Sequence, residues 1–129
     1  MATLRMPNVN HVVVDGRLTR DPGLRRTASG LAVCEITIAN DRPYKDGDEW
    51  KRKTSFLAVT CWNQTAENVA ERLRKGDPVL VQGRLDNEEW ETKDGDKRSK
   101  TKITARSVRP LSWPDDDPQP QGAIDDEPF

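Results

Sequence analysis

The sequence predicts an all-β fold with one helix, a small closed barrel, on three observations. Apolar and polar residues alternate in five separate stretches, the mark of a half-buried strand. A sixth stretch places Ala66, Val69, Ala70 and Leu73 at i, i+3, i+4 and i+7, the spacing of a helix with a narrow apolar stripe. Clusters of glycine, proline and aspartate separate these segments. With 129 residues there is room for one core.

The first strand is expected over about Asn8 to Leu18, with Val12, Val14 and Leu18 on the buried face and His11, Val13 and Arg17 on the other. After the turn signal Ala28-Ser29-Gly30, a second strand over about Leu31 to Asn40 sets Cys34, Ile36 and Ile38 in phase. Asp41 to Glu49 reads as a polar loop with a turn at Lys45-Asp46-Gly47-Asp48. In the third strand, about Trp50 to Trp62, the aliphatic phase Leu57, Val59 and Cys61 faces the core. Phe56, Ala58, Thr60 and Trp62 then point outward. The helix follows, capped by Asn63 or Thr65 and stopped at Gly76 and Pro78. A fourth strand aligns Val79, Val81 and Leu85, with Gln82, Arg84 and, if no bulge intervenes, Trp90 on the opposite face. Lys93 to Arg98 forms a turn, and a fifth strand over about Thr101 to Leu111 ends the body.

Three strands, a helix and two more strands is the order of an OB-fold, the five-stranded Greek-key barrel whose helix lies between strands 3 and 4. SH3-like and cold-shock-type barrels are its nearest competitors. One third of the residues are charged, and no apolar run approaches the ~20 residues of a membrane span. Met1 to Pro7 has no apolar core of a secretory signal, so a cytoplasmic protein is expected, with no membrane partner. Cys34 and Cys61 lack CxxC spacing, and His11 is the single histidine, too few ligands for a structural metal site. GxSxG, P-loop and HExxH motifs are absent, so neither an enzyme nor a bound cofactor is expected.

Charge divides the chain in two. Asp115 to Phe129 carries six acids and no Lys or Arg, leaving 16 acids against 21 basic residues in the rest, a body of about +5. A basic body suits a polyanion. Single-stranded nucleic acid offers phosphates and unstacked base faces, which a basic groove with aromatic platforms can hold without reading sequence. The platforms here are Phe56, Trp62 and Trp90, with Tyr44 and Trp50 flanking the loop between strands two and three. Aromatics also fill cores and interfaces, but three in the polar phase of their strands weigh toward stacking. Arg17, Arg25, Arg26, Lys75, Arg84, Lys97 and Arg98 are the candidates for phosphate contact. Asp86, Glu88 and Glu89 surround Trp90 with negative charge, which weakens the case for a DNA path beside it.

Several short stretches together resemble the bacterial single-stranded DNA-binding proteins. They are Val14-Asp15-Gly16-Arg17-Leu18 with Asp21-Pro22, Leu24-Arg25, Ser29-Gly30 and Ile36 to Ala39, then Trp62 with Ala66-Glu67. Leu73-Arg74-Lys75-Gly76, Val81-Gln82-Gly83-Arg84-Leu85, Trp90-Glu91 and Asp94-Gly95 complete the set, which spans about Asn8 to Leu111. The resemblance implies an OB-fold, a homotetramer with single-stranded DNA wrapped over its outside, and stacking aromatics at Tyr44, Phe56, Trp62 and Trp90. It also implies a place at the nucleoid. Trp50 sits where similar sequences often carry tryptophan, which suits a structural role.

The resemblance resumes at the C-terminus. Members of that family end in an acidic tip of the form DDDIPF, bound by replication, recombination and repair proteins. This chain ends Asp125-Asp126-Glu127-Pro128-Phe129, with Glu127 in place of the isoleucine and a short linker before it. The expected division is therefore a DNA-binding domain over residues 1–111 and a disordered acidic tail over 112–129, because so polar a segment cannot offset its ordering entropy. A rival reading is a primosomal-type adaptor on the same fold with weak DNA binding, against which the tail argues.

Overall fold

The computed structural model describes residues 3–111, so the tail and its tip, Asp125 to Phe129, lie outside the described residues. Six strands and one helix follow in the order β1 (Val12–Leu18), β2 (Gly23–Arg26), β3 (Ala32–Asp46), β4 (Glu49–Trp62), α1 (Asn63–Arg72), β5 (Pro78–Glu91) and β6 (Lys97–Pro110). The sheet order is β1-β5-β6-β4-β3-β2, and a further β1–β3 pairing closes five of the strands into a barrel. That is the OB-fold the segment order predicts, with the helix between the third and fourth barrel strands.

Alternation decides which side of each strand enters the barrel. Cys34, Ile36 and Ile38 of β3 meet Cys61, Val59 and Leu57 of β4 in register, and all but the half-buried Leu57 are nearly inaccessible. Val79 and Val81 from β5, Val108 from β6 and Leu18 from β1 complete the same core. Val59 is also in register with Ile103, so β4 and β6 share one inner face although they pair, in parallel, at only two positions. Ala66, Val69 and Leu73 bury the stripe of α1 against it.

Two glycines allow the barrel to close. A β-carbon on Gly83 would lie 2.1 Å from the carbonyl oxygen of Thr104, and one on Gly16 would lie 2.8 Å from that of Ala39. Gly16 stands where β1 leaves β5 to reach β3. Gly83 stands beside a bulge, since Gln82 pairs with Ser107 and Gly83 with Ala105, leaving Arg106 unpaired.

Several expectations need correction. Asp41 to Glu49 is not a loop: β3 and β4 continue as an exposed hairpin as far as Asp46 and Glu49. Polar pairs hold that arm, with Lys51 on Asp46 at 2.8 Å and Thr54 donating to Asp41. Likewise β6 begins at Lys97 rather than near Thr101, opposite Glu91. The first strand starts at Val12, not Asn8. Before it, the Asn10 side-chain amide exchanges two hydrogen bonds with the backbone of Leu85, at 2.8 and 2.9 Å. Gly23–Arg26 is an additional strand, fully exposed, without an alternation to reveal it.

The helix termini also differ. Trp62 is the N-cap, with no side-chain cap, and Asn63 turns the chain into α1 with φ +55°, a left-handed conformation that asparagine tolerates. The helix stops at Arg72, four residues before Gly76. Gly76 instead lies in the connection to β5 and donates its N–H to the Leu18 carbonyl at 2.8 Å.

Candidate nucleic-acid interface

The outward pleat of the sheet is continuous from strand to strand. On β4 it carries Phe56, Ala58, Thr60 and Trp62. The Thr60–Thr104 register passes it to β6, where Arg98, Lys100 and Lys102 share the phase of Thr104. Those residues stand opposite Trp90, Glu88 and Asp86, and Thr104 stands opposite Arg84, on β5. On the other side Glu35 and Thr37 of β3 oppose Thr60 and Ala58, and Arg25 of β2 opposes Val33. One face therefore gathers Phe56, Trp62, Trp90, Arg25, Arg84 and Arg98, six residues separated by up to 73 positions in the chain.

These aromatics are offered to solvent: Phe56 is 68% exposed, Trp90 47% and Trp62 38%. Exposed apolar rings gathered on one face mark an interaction site, whereas a single one would be ordinary. Tyr44, 39% exposed, is in register with Lys51, on the opposite pleat from Phe56 and Trp62. The structure thus separates it from the other three. Trp50, on the outward pleat near the hairpin tip, is 71% exposed and packs into no core.

A family-model comparison matches residues 9–111 to the single-strand binding protein family. The chain belongs to that family. It is 44% identical over 105 residues to the single-stranded DNA-binding protein of Deinococcus radiodurans, an alignment covering 81% of this chain and 35% of that one. The single-stranded DNA-binding protein of Treponema pallidum is 41% identical over 106 residues, covering 82% and 60%. Among solved structures, a deletion mutant of the single-stranded DNA binding protein from Thermus aquaticus superimposes with a TM-score of 0.71 at 30% identity, over 81% of this chain and 51% of that one. This single-strand binding family chain therefore spans only part of the length of these relatives.

Within this family frame the basic residues sort into two groups. Several are engaged by their own protein. Arg17 donates to the Gly76 carbonyl at 3.0 Å, and Arg26 pairs with Glu67 of α1 at 3.2 Å, strapping the β2–β3 turn to the helix. Arg25 pairs with Glu35 at 3.1 Å and Arg84 with Asp86 at 3.3 Å, both exposed on the outward face. Lys75 lies away from that face, between α1 and β5, where its backbone N–H is held by Asp21 at 2.7 Å. Lys97 and Arg98 form no ion pair among the described residues and border a cleft of about 420 Å³ beside Trp90.

The acids near Trp90 are matched by neighbours. Asp86 accepts from the Thr104 hydroxyl, which holds its carboxyl below the usual range, and the Arg84 and Lys102 charges add to that. Glu88 meets Lys102 at 3.8 Å. Lys100 and Lys102 are not among the phosphate candidates named from the sequence, yet they share the outward phase of Arg98. Their signal was present: Arg98, Lys100 and Lys102 alternate with Ser99 and Thr101, the pattern of a strand with one cationic face. No group of three or more His, Cys, Asp and Glu among the described residues is arranged to hold a metal ion. No described helix is long and apolar enough to cross a membrane.

Proposed function

We propose that this chain binds single-stranded DNA without sequence preference, stacking bases on Phe56, Trp62 and Trp90 and meeting phosphates with the cations around them. The observation that carries this reading is the gathering of three exposed aromatics and a set of Arg and Lys side chains on one outward face. Stacking uses the face that every base has, and alanine substitution at such a platform costs about 1 to 3 kcal/mol per base. The names borne by its relatives point the same way. Tyr44, on the other pleat of the hairpin arm, contacts a strand that wraps around that arm. Residues 1–111 form the DNA-binding unit, which assembles as a homotetramer, and residues 112–129 recruit replication, recombination and repair proteins through Asp125 to Phe129.

Titrating a thymine homopolymer into the protein while following tryptophan fluorescence tests the central claim. Trp62→Ala and Trp90→Ala should each weaken binding by about 5- to 150-fold, equivalent to about 1 to 3 kcal/mol. Log affinity should fall linearly with log salt, by about 0.7 per phosphate neutralised. Unchanged affinity in both variants removes the site. Recruitment is tested separately by Phe129→Ala, which removes an aromatic anchor without altering charge. Recovery of the same partners with intact and variant protein would refute the tip's role while leaving DNA binding standing.

A further inference from the structure

β4 and β6 pair at only two positions, and a groove lined by residues of both strands, from both phases of the pleat, runs there. One stretch is a cleft of about 580 Å³ with Phe56, Val14, Leu57 and Leu85 in its lining. That volume lies within the range of sites that hold small ligands, roughly 300 to 1,000 Å³. The adjoining stretch carries Arg20 and Glu35 beside Thr60. Thr37 and Ala58 are common to both stretches, and so are Lys100 and Lys102. Along β4 the small side chains Ala58 and Thr60 separate Phe56 from Trp62, and the two lysines, which line both stretches, form one bank.

The bank is incompletely neutralised. Lys102 has a side chain only 20% exposed; it stands opposite Asp86, which is also engaged by Thr104 and Arg84, and its ammonium meets Glu88 at a loose 3.8 Å. Lys100 and Arg20 form no ion pair among the described residues. A partly desolvated cation with a distant carboxylate gains from a closer anion. We propose that Lys100 and Lys102, with Arg20, are the phosphate-contacting bank of this groove, and that Glu88 is a resident competitor which phosphate must displace from Lys102. The single strand then lies with bases toward Phe56 and backbone toward β6. Glu88 holds affinity below what the cations alone would give, and it steepens release as a bound strand is withdrawn. This inference rests on the single-stranded DNA reading above.

Fluorescence anisotropy of a labelled thymine homopolymer, measured from about 50 to about 200 mM salt, the range over which phosphate contacts are most visible, provides the test. Lys100→Gln should reduce the magnitude of the log–log slope by about 0.7, and Lys100→Gln with Lys102→Gln by about 1.4. Glu88→Gln should strengthen binding at least threefold, and that gain should vanish in the double-lysine background. An unchanged slope in the double-lysine variant overturns the proposal. So does a gain from Glu88→Gln that persists without the lysines, because it would then come from net charge alone. Phe56→Ala and Trp62→Ala, run alongside, separate the failures. If they weaken binding while the lysine variants do not, the bank is wrong. If the unaltered protein does not bind, the underlying reading is wrong.

Discussion

At the scale of single residues, space and burial set what the chain tolerates. Gly83 has no room for a β-carbon, so Gly83→Ala must push β5 from β6 at the bulge and should cost about 1 to 3 kcal/mol or more. Gly23, where a β-carbon would meet nothing within 4 Å, is the control. Guanidinium unfolding midpoints of the two variants check this, and equal midpoints would contradict it. Cys34 and Cys61 are in register across β3 and β4 and both are fully buried. Burial pushes the Cys61 thiol up to about 12, with the neighbouring Cys34 adding to it. Burial also raises Cys34. A thiol kept protonated and out of reach is a poor nucleophile. Ellman's reagent at pH 8 should therefore label neither cysteine in the native protein and both after denaturation. Rapid labelling of the native chain would contradict that expectation.

At the scale of elements, the β5–β6 arm is held by polar contacts rather than by a core, which makes it sensitive to acid. The Thr104 hydroxyl and the Arg84 charge favour ionised Asp86 in the folded arm, so its folded pKa lies below that of the unfolded chain. A depressed carboxyl contributes stability above the unfolded value, about 3.9, and loses it as pH falls through the folded value. Asp86→Asn should therefore lower stability near neutrality and flatten the loss on acidification below about pH 4. Thermal melts of both proteins across that range decide it, and parallel acid limbs would refute the assignment. The same polar arms explain what the sequence left hidden. Strands inside the barrel announce themselves, as in Cys34, Ile36 and Ile38, because one face must be apolar. Asp41 to Asp46 extends beyond the core with no aliphatic alternation, so the segment resembles a loop. Gly23–Arg26 is too short and too exposed to carry any alternation. The outward aromatics were legible for the converse reason: Phe56 and Trp62 occupy the phase opposite Leu57, Val59 and Cys61. Their meeting with Trp90, and the engagement of Arg26 by Glu67, depend on the tertiary register and could not be read locally.

At the scale of the whole molecule, pairing is very unevenly distributed. Fourteen register pairs join β3 to β4 and thirteen join β5 to β6, whereas two join β4 to β6 and two join β1 to β3. The barrel therefore behaves as two leaves, β2-β3-β4 and β1-β5-β6, stitched along their margins by a few bonds. Local opening follows the weakest pairing. Backbone amides at the stitches, around Thr60 and Thr104, should exchange with deuterium sooner than those in the middle of either leaf. A single strand laid from Trp62 to Trp90 crosses one of these stitches. Its binding should slow exchange there more than along the hairpin arms, which hydrogen-exchange mass spectrometry with and without a thymine oligomer will show. Uniform slowing across both leaves would instead describe a barrel that moves as one piece. On the two-leaf account, the ligand does more than occupy a surface: it sutures the protein that carries it.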